Sequence, residues 1–134
     1  MTRAMSTQLE AEHGLTINGY EALLHLSRAE EGRMRRIDLA GELVLTASGV
    51  TRLLDGLEGV GLVERGSCET DRRVTYAILT EAGAARLREA SESHIAAVKG
   101  FFEERYNEDE LDQLSTLLGR LPGASAGSVE ECRP

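Results

Sequence analysis

Three consecutive segments of the chain carry apolar residues at the spacing of an α-helix, and two of them follow a threonine that can cap a helix. Thr16 precedes the first segment, where Leu15 and Tyr20 occupy the two positions of a hydrophobic staple. Thr46 precedes the third segment in the same way. The second segment is shorter, ends by Leu45 and is predicted to turn four apolar side chains toward a core: Ile37, Leu39, Ala40 and Leu43.

After the third helix the pattern changes from helical spacing to extended segments. Gly59 and Gly61 stand where a helix commonly ends, because glycine adopts a left-handed backbone without steric cost. The run that begins at Leu62 is predicted to be extended, and the β-branched and aromatic residues 74–79 are typical of a strand. The two runs predict a β-hairpin with a long polar tip, residues 66–73.

Two further helices are predicted after the hairpin. Thr80 can cap a long helix, and Asn107 with Glu110 has the spacing of a capping box for the last one. A Pro-Gly pair ends the helical pattern, and residues 122–134, rich in Ser, Gly and Glu, are predicted to be a disordered tail. The elements together predict a mainly α fold with a small β-hairpin.

The order helix, helix, turn, helix and hairpin is that of a winged helix-turn-helix, here over about residues 33–80. In this arrangement the second helix of the pair enters the major groove of DNA. That helix turns its apolar residues inward, so its small polar face is free to read base edges. Ser48 and Thr51 can donate or accept hydrogen bonds. Ala47 can contact a thymine methyl group, and Arg52 can reach guanine or a phosphate.

The hairpin forms the wing of this arrangement, and its tip carries Asp71, Arg72 and Arg73. The two guanidinium groups could enter the narrow, electronegative minor groove. DNA would repel the Asp71 carboxylate, so we expect it to pair with a neighbouring arginine, either Arg52 or one of the two at the tip, and to hold the wing in shape. A basic cluster before the helix-turn-helix could contact phosphates or simply be solvated: Arg33, Arg35 and Arg36.

The charge of the whole chain argues against a nucleic-acid partner, but its distribution along the chain does not. The chain carries 15 basic and 23 acidic side chains, and a formal net charge of −8 is not that of a polybasic nucleic-acid coat. Residues 33–75, however, hold seven Arg and seven acidic residues, so the acidic excess lies on the flanking segments. That excess would orient the neutral, arginine-tipped segment toward DNA.

Length and composition restrict the remaining possibilities. A chain of 134 residues allows about one domain, and a hydrophobic fraction of 41% argues against a disordered chain. No apolar stretch fits a membrane-spanning helix or a secretory signal, so we expect a cytoplasmic protein with no membrane partner. Cys68 and Cys132 match no disulfide or zinc spacing and the histidines are isolated, so no metal or cofactor is expected. No basic neighbour in the sequence clearly lowers the pKa of Cys68, so no redox sensor is expected. Ser91, Ser93 and His94 are expected to point in different directions on a polar helix face, so no enzyme is predicted.

A family resemblance rests on two runs, LVLTASGVTRLLDGLEGVGLVER and DRRVTYAILTEAG. Together they resemble the multiple-antibiotic-resistance regulator (MarR) family, over about residues 15–121. The resemblance implies a homodimeric bacterial transcription factor, here a repressor that leaves a pseudo-palindromic double-stranded operator when a small-molecule effector binds. By position, the recognition helix runs from Thr46 to about Gly59, and Asp71 and Arg73 match the acid and the arginine of the family's wing. The alternative is a winged-helix protein-interaction module that does not bind DNA.

The resemblance also implies that terminal helices join two chains, here about residues 1–14 and 81–121 of a single domain, residues 1–121. The C-terminal helices carry more apolar surface than a small winged domain can cover, and a partner chain would cover it. The alternative is that these helices fold back on their own domain. The candidate interface residues are Leu87, Ile95, Val98, Phe101, Phe102, Leu111, Leu114 and Leu118.

Many members of the family respond to small aromatic or phenolic anions in a cleft between the DNA-binding and dimer regions. His13 and Tyr20 are the best placed candidates for such an effector site, although His13 could be a solvated loop residue and Tyr20 a core residue. The chain departs from the family's pattern in two places. Only fourteen residues precede Leu15, which could abbreviate the dimer interface or the effector pocket, and the helix near Ile37 lacks a Ser or Thr cap, which predicts a frayed start.

Overall fold

The computed structural model describes residues 2–122, which divide into two compact units between Ile95 and Ala96. This part of the chain is mostly helical with a small sheet, as predicted. A short 3₁₀ turn, Glu30–Gly32, follows the second helix. The helices and strands are, in order, α1 (Thr2–His13), α2 (Ile17–Arg28), β1 (Arg33–Arg35), α3 (Arg36–Leu43), α4 (Ala47–Gly59), β2 (Val63–Ser67), β3 (Thr75–Leu79), α5 (Glu81–Glu103) and α6 (Glu108–Leu118).

The helices begin where their capping residues predict. Thr16 Oγ1 accepts a hydrogen bond from the backbone N–H of Gly19 at 3.0 Å, and Thr46 Oγ1 accepts one from that of Gly49 at 3.0 Å. Asn107 caps α6 through the complete capping box. Each cap satisfies a backbone donor that the first turn of a helix leaves free, so the sequence at these positions is enough to set the helix start.

The sheet has three antiparallel strands in the order β1-β3-β2. The predicted hairpin forms β2 and β3, with Arg65 opposite Ala77, but the third strand, β1, was not predicted. It pairs with the other edge of β3, where Met34 also lies opposite Ala77. The sequence Arg-Met-Arg holds one apolar residue, which is too few to produce a strand pattern. Gly66 and Ser67 lie within β2 and not in the polar tip.

The core belongs to the first unit, residues 2–95. Every buried apolar side chain among the described residues lies between Leu9 and Ala90. The prediction for Ile37 is wrong, because this side chain is 75% exposed. Ile37 lies in the first turn of α3, at the edge of the core, and lines an open groove toward α4, whereas the later turns bury Leu39, Ala40 and Leu43.

A close contact fixes the place where the hairpin meets α5. A Cβ atom at Gly83 would lie 2.0 Å from the backbone oxygen of Leu62, so only glycine fits at this position. Thr80 connects the same two segments, since its N–H donates to Leu62 O at 3.2 Å and its Oγ1 donates to Gly61 O at 2.7 Å. Oγ1 of Thr80 also caps α5 by accepting from the N–H of Gly83, as predicted.

The prediction for Leu87 also needs correction. Leu87 is only 6% exposed and is part of the core of its own unit, so it does not belong to the apolar surface that was assigned to a partner chain. Its position on the first half of α5, next to Gly83 and Ala90, places it against the rest of the first unit. The other seven candidate interface residues are half-buried or exposed in the single chain.

The second unit has no buried residue among residues 96–122. Its aromatic residues pack locally, with the rings of Phe101 and Phe102 edge to face at 5.8 Å and the Arg105 guanidinium 3.9 Å from the Phe101 ring centre. On α6, Leu118 is 51% exposed. The predicted disordered tail, residues 122–134, lies outside the described residues except for Pro122.

Candidate nucleic-acid interface

The four residues predicted to read bases lie on the exposed side of α4. Ala47, Ser48, Thr51 and Arg52 are all exposed, while the opposite side of the helix buries its apolar residues. Thr51 Oγ1 donates to the backbone oxygen of Ala47 at 2.9 Å, and Ser48 Oγ lies 3.2 Å from the hydroxyl of Thr46. These bonds hold both hydroxyl groups in place and leave lone pairs that can accept from a base edge.

A groove of about 610 Å³ joins α4 to the start of α3 and to the wing. Ala47 and Thr51 line it from α4, and Arg73 lines it from the wing. Arg35 and Arg36 line its third side. The structure therefore brings together five predicted DNA-binding residues from three parts of the sequence. Ser48, Arg52 and Arg72 are exposed but are not part of the groove lining.

The basic cluster at the start of α3 is not equally available. Arg35 forms two hydrogen bonds with the Asp38 carboxylate, at 2.8 and 3.2 Å. Its pKa is raised, first by the hydrogen bond to Asp38 and then by the charge of that carboxylate. The pair also ties down the first turn of α3, which has no side-chain cap, as predicted. Arg36, in contrast, has a buried Nη2 atom without a hydrogen-bond partner in residues 2–122.

Arg33 already contacts two other side chains, those of Tyr76 and Glu31. Its guanidinium lies 4.7 Å from the ring centre of Tyr76 and forms an ion pair with Glu31 at 3.5 Å. Arg52 and Arg72 form no ion pair with any residue of the described chain. Of the predicted cations, Arg36, Arg52 and Arg72 therefore have no carboxylate partner within residues 2–122.

The expected pairing of Asp71 is present, and its partner is Arg73. Asp71 Oδ1 accepts from the backbone N–H of Arg73 at 3.0 Å and from Arg73 Nε at 3.4 Å. The turn is closed by Val74 N–H, which donates to the backbone oxygen of Asp71 at 3.1 Å. The carboxylate therefore braces the backbone of the wing, while the Arg73 side chain stays 93% exposed.

Cys68 lies at the start of the wing loop, next to Thr70. The hydrogen bond between Cys68 Sγ and Thr70 Oγ1, at 3.2 Å, lowers the pKa of the thiol, and backbone hydrogen bonds from Thr70 and Asp71 add to this effect. The sequence did not indicate this effect, because the side chain that lowers the pKa of Cys68 is the hydroxyl of Thr70 and not a basic group.

The two candidate effector-site residues, His13 and Tyr20, contact side chains of α5 that are far from them in the sequence. His13 is the last residue of α1 and not part of a loop. Its Nε2 atom forms a hydrogen bond with Ser93 Oγ. The Tyr20 hydroxyl lies 3.0 Å from Ser91 Oγ, and the Tyr20 ring packs on the His94 ring at 5.0 Å.

The three α5 residues contact different partners: Ser91 contacts Tyr20 of α2, Ser93 contacts His13 of α1, and His94 contacts both helices. Gln8 of α1 adds a 3.1 Å contact from its Oε1 to His94 Nδ1, and burial lowers the pKa of His94. About 70 to 85 residues separate these partners in the sequence, so no local pattern could have revealed the cluster.

Known proteins resemble this chain over most of its length. A family model described as MarR family matches residues 13–74. The repressor YetL of Bacillus subtilis is 32% identical over 111 residues, which are 83% of this chain and 66% of YetL. The crystal structure of AbsC, a MarR family regulator of Streptomyces coelicolor, is 35% identical, has a TM-score of 0.76 and aligns over 87% of this chain and 78% of AbsC.

This chain belongs to the MarR family. A second family member from S. coelicolor, Sco3205, was solved in complex with DNA and aligns over 87% of this chain and 73% of its own, at 27% identity and a TM-score of 0.78. The predictions of the family, the helical winged fold and a role in transcription regulation are confirmed. No helix in residues 2–122 is both long enough and apolar enough to cross a membrane.

Proposed function

We propose that this MarR family regulator is a homodimeric repressor that binds a pseudo-palindromic operator in double-stranded DNA and leaves it when a small-molecule effector binds. The observation that carries the proposal is the groove, in which the exposed face of α4, the start of α3 and Arg73 of the wing come together. A single surface thus offers small groups for base edges beside arginines for phosphates.

Each element of the winged part, residues 33–80, takes a separate role in this proposal. Ala47, Ser48, Thr51 and Arg52 of α4 contact base edges in the major groove. Arg72 and Arg73 enter the minor groove at the tip of the wing, which Asp71 keeps in shape. Arg35 and Arg36 contact phosphates between these two sites. Asp38 already neutralises Arg35, whereas Arg36 has no carboxylate partner in residues 2–122 but must move its buried Nη2 atom to reach a phosphate.

The homodimer is supported by the second unit, whose apolar residues remain accessible in the single chain. Helices at about residues 1–14 and 81–121 of a domain spanning residues 1–121 would form the interface. Burial of these side chains against a second copy would release about 25 cal/mol for each Å² of apolar surface. The proposed interface residues are Ile95, Val98, Phe101, Phe102, Leu111, Leu114 and Leu118.

The effector site is proposed near His13 and Tyr20, for a small aromatic or phenolic anion. Both residues are already hydrogen-bonded to α5, so a ligand that bound here would have to replace the contacts with Ser91 and Ser93. Such a replacement would change how α5 packs on α1 and α2. We place this regulator of gene expression in the cytoplasm, and we assign it no enzymatic reaction.

The proposal is tested by selecting DNA from a random pool with the purified full-length protein. We expect an enriched pseudo-palindrome whose affinity falls steeply as salt concentration rises. Arg52→Ala and Arg73→Ala should each weaken binding about five- to hundredfold, because each removes a contact worth roughly 1–3 kcal/mol.

Arg88→Ala is the matched control, since it removes the same charge from an exposed position on α5, and it should bind like the wild type. Failure to enrich any sequence, or binding that is insensitive to salt, would contradict the proposal and favour the protein-interaction module.

A further inference from the structure

Two carboxylates lie on the recognition helix along the same stripe as Thr51. Asp55 and Glu58 follow Thr51 by four and seven residues, so the three side chains share one face of α4. At 1.5 Å per residue, Asp55 is about 6 Å and Glu58 about 10 Å further along the axis than Thr51. Those lengths are similar to the screening length of about 8 Å at physiological salt. Unpaired carboxylates here would repel the DNA that Thr51 is proposed to contact.

A single arginine from the wing binds both carboxylates. Arg65 Nε donates to Glu58 Oε2 at 2.8 Å, and Arg65 Nη2 contacts Asp55 Oδ1. The pKa of Arg65 is raised, first by the hydrogen bond to Glu58 and then by the charges of Glu58 and Asp55. All three side chains are about half exposed, so a DNA backbone close to α4 would experience their charges.

The path of the chain brings Arg65 back along α4. The helix ends at Gly59, and Gly61 adopts a left-handed conformation with φ +77°. Leu62 N–H then donates to the backbone oxygen of Leu57 at 2.9 Å, which starts β2 beside the helix that the chain has just left. Among the ion pairs of residues 2–122, those of Arg65 are the ones that join α4 to the sheet.

We propose that Arg65 is a positioning residue for operator binding, which acts by neutralising Asp55 and Glu58 on the recognition helix and not by contacting DNA itself. The inference rests on the proposed function, because it assumes that α4 binds DNA. It also explains how a recognition helix with two acidic residues and one arginine can approach a polyanion in a chain whose net charge is −8.

The test measures the Kd of full-length variants for the selected operator by fluorescence anisotropy at low and at physiological salt. Arg65→Ala should weaken binding about tenfold, because it leaves two carboxylates uncompensated near the phosphates. The triple variant Arg65→Ala/Asp55→Asn/Glu58→Gln should return to within about threefold of the wild-type Kd. Asp55→Asn/Glu58→Gln with Arg65 retained should bind more tightly than the wild type, since Arg65 then adds an unpaired positive charge.

Two controls separate this inference from other effects. Arg88→Ala loses the same charge on α5 and should bind like the wild type. All variants should melt within a few degrees of the wild type, because exposed ion pairs contribute about 1 kcal/mol or less to stability.

If Arg65→Ala bound the operator with wild-type affinity, the inference about Arg65 would be overturned, but the proposed function would not. An equally weak triple variant would also overturn it, because it would show that Arg65 contacts a phosphate directly. A wild-type protein that binds no DNA would overturn the proposed function and this inference with it.

Discussion

The two units of the chain both contain helices with apolar residues, but they differ in how many of those residues are buried. Residues 2–95 bury all the apolar core of the described chain, whereas residues 96–122 bury no residue. Helix α5 belongs to both: its first half buries Gly83, Leu87 and Ala90, and its second half buries nothing. Apolar residues at helical spacing therefore do not reveal whether their own chain covers them. The first unit is complete by itself, and we propose that the second is completed by another copy.

Glycine replacements in α5 should show the largest difference between the units. Gly83→Ala should destabilise the protein by about 3 kcal/mol or more, because the new Cβ would lie 2.0 Å from Leu62 O and the backbone must move. Gly100→Ala is the matched change in the second unit, where a Cβ meets nothing within 4 Å. It should stabilise the helix by up to about 1 kcal/mol. Urea unfolding followed by circular dichroism measures both.

A Gly83→Ala protein as stable as the wild type would show that the junction of α5 and the hairpin is not tightly packed. Equal destabilisation by Gly100→Ala would show that a close partner already covers the second half of α5.

Leucine replacements should separate stability from assembly. Leu23 is 0% exposed, so Leu23→Ala should lower the free energy of unfolding by about 2–5 kcal/mol without changing the oligomeric state of the folded protein. Leu118→Glu should leave the folded first unit intact but convert the dimer to a monomer, because it places a charge in the proposed interface.

Light scattering gives the mass, and thermal unfolding gives the stability. If Leu118→Glu remained a dimer, the second unit would not hold the interface. A wild-type monomer would contradict the dimer directly.

Capping residues should give the smallest effects, and again these should differ between the units. Thr16→Ala removes the acceptor for Gly19 N–H and should cost about 1 kcal/mol of global stability, because α2 is part of the core. Asn107→Ala removes a similar cap from α6, which buries nothing in the single chain.

Hydrogen exchange should show that Asn107→Ala exposes the amides of α6 without changing those of α2. Thr16→Ser, which keeps the hydroxyl acceptor, serves as the control and should match the wild type. Global unfolding caused by Asn107→Ala would mean that the two units are not independent.

Local chemistry explains which parts of the fold could be predicted. Thr16, Thr46, Thr80 and Asn107 mark helix starts correctly, because a cap involves residues only three positions apart. Strand β1 and the exposed position of Ile37 were missed, since both depend on what lies across from them: β3 in one case and the groove in the other.

The same division holds for the candidate site. The bracing of the wing by Asp71 was predictable because Arg73 is two residues away. The neutralisation of Asp55 and Glu58 by Arg65 was not, although the separations are only ten and seven residues, because it needs the chain to reverse at Gly61. The contacts of His13 with Ser93 and of Tyr20 with Ser91 join helices from opposite ends of the first unit.

The sequence by itself determined the family, the order of the helices and the β2–β3 hairpin, the capped helix starts and the exposed face of α4, because all of these follow from spacing and short-range hydrogen bonds. Only the tertiary structure decided that Leu87 is core, that the arginines differ in availability, and that Arg65 binds both acids of the recognition helix. These properties depend on which groups meet across the fold. A pattern along the chain gives the direction of a side chain relative to its own helix or strand but not the group that it contacts.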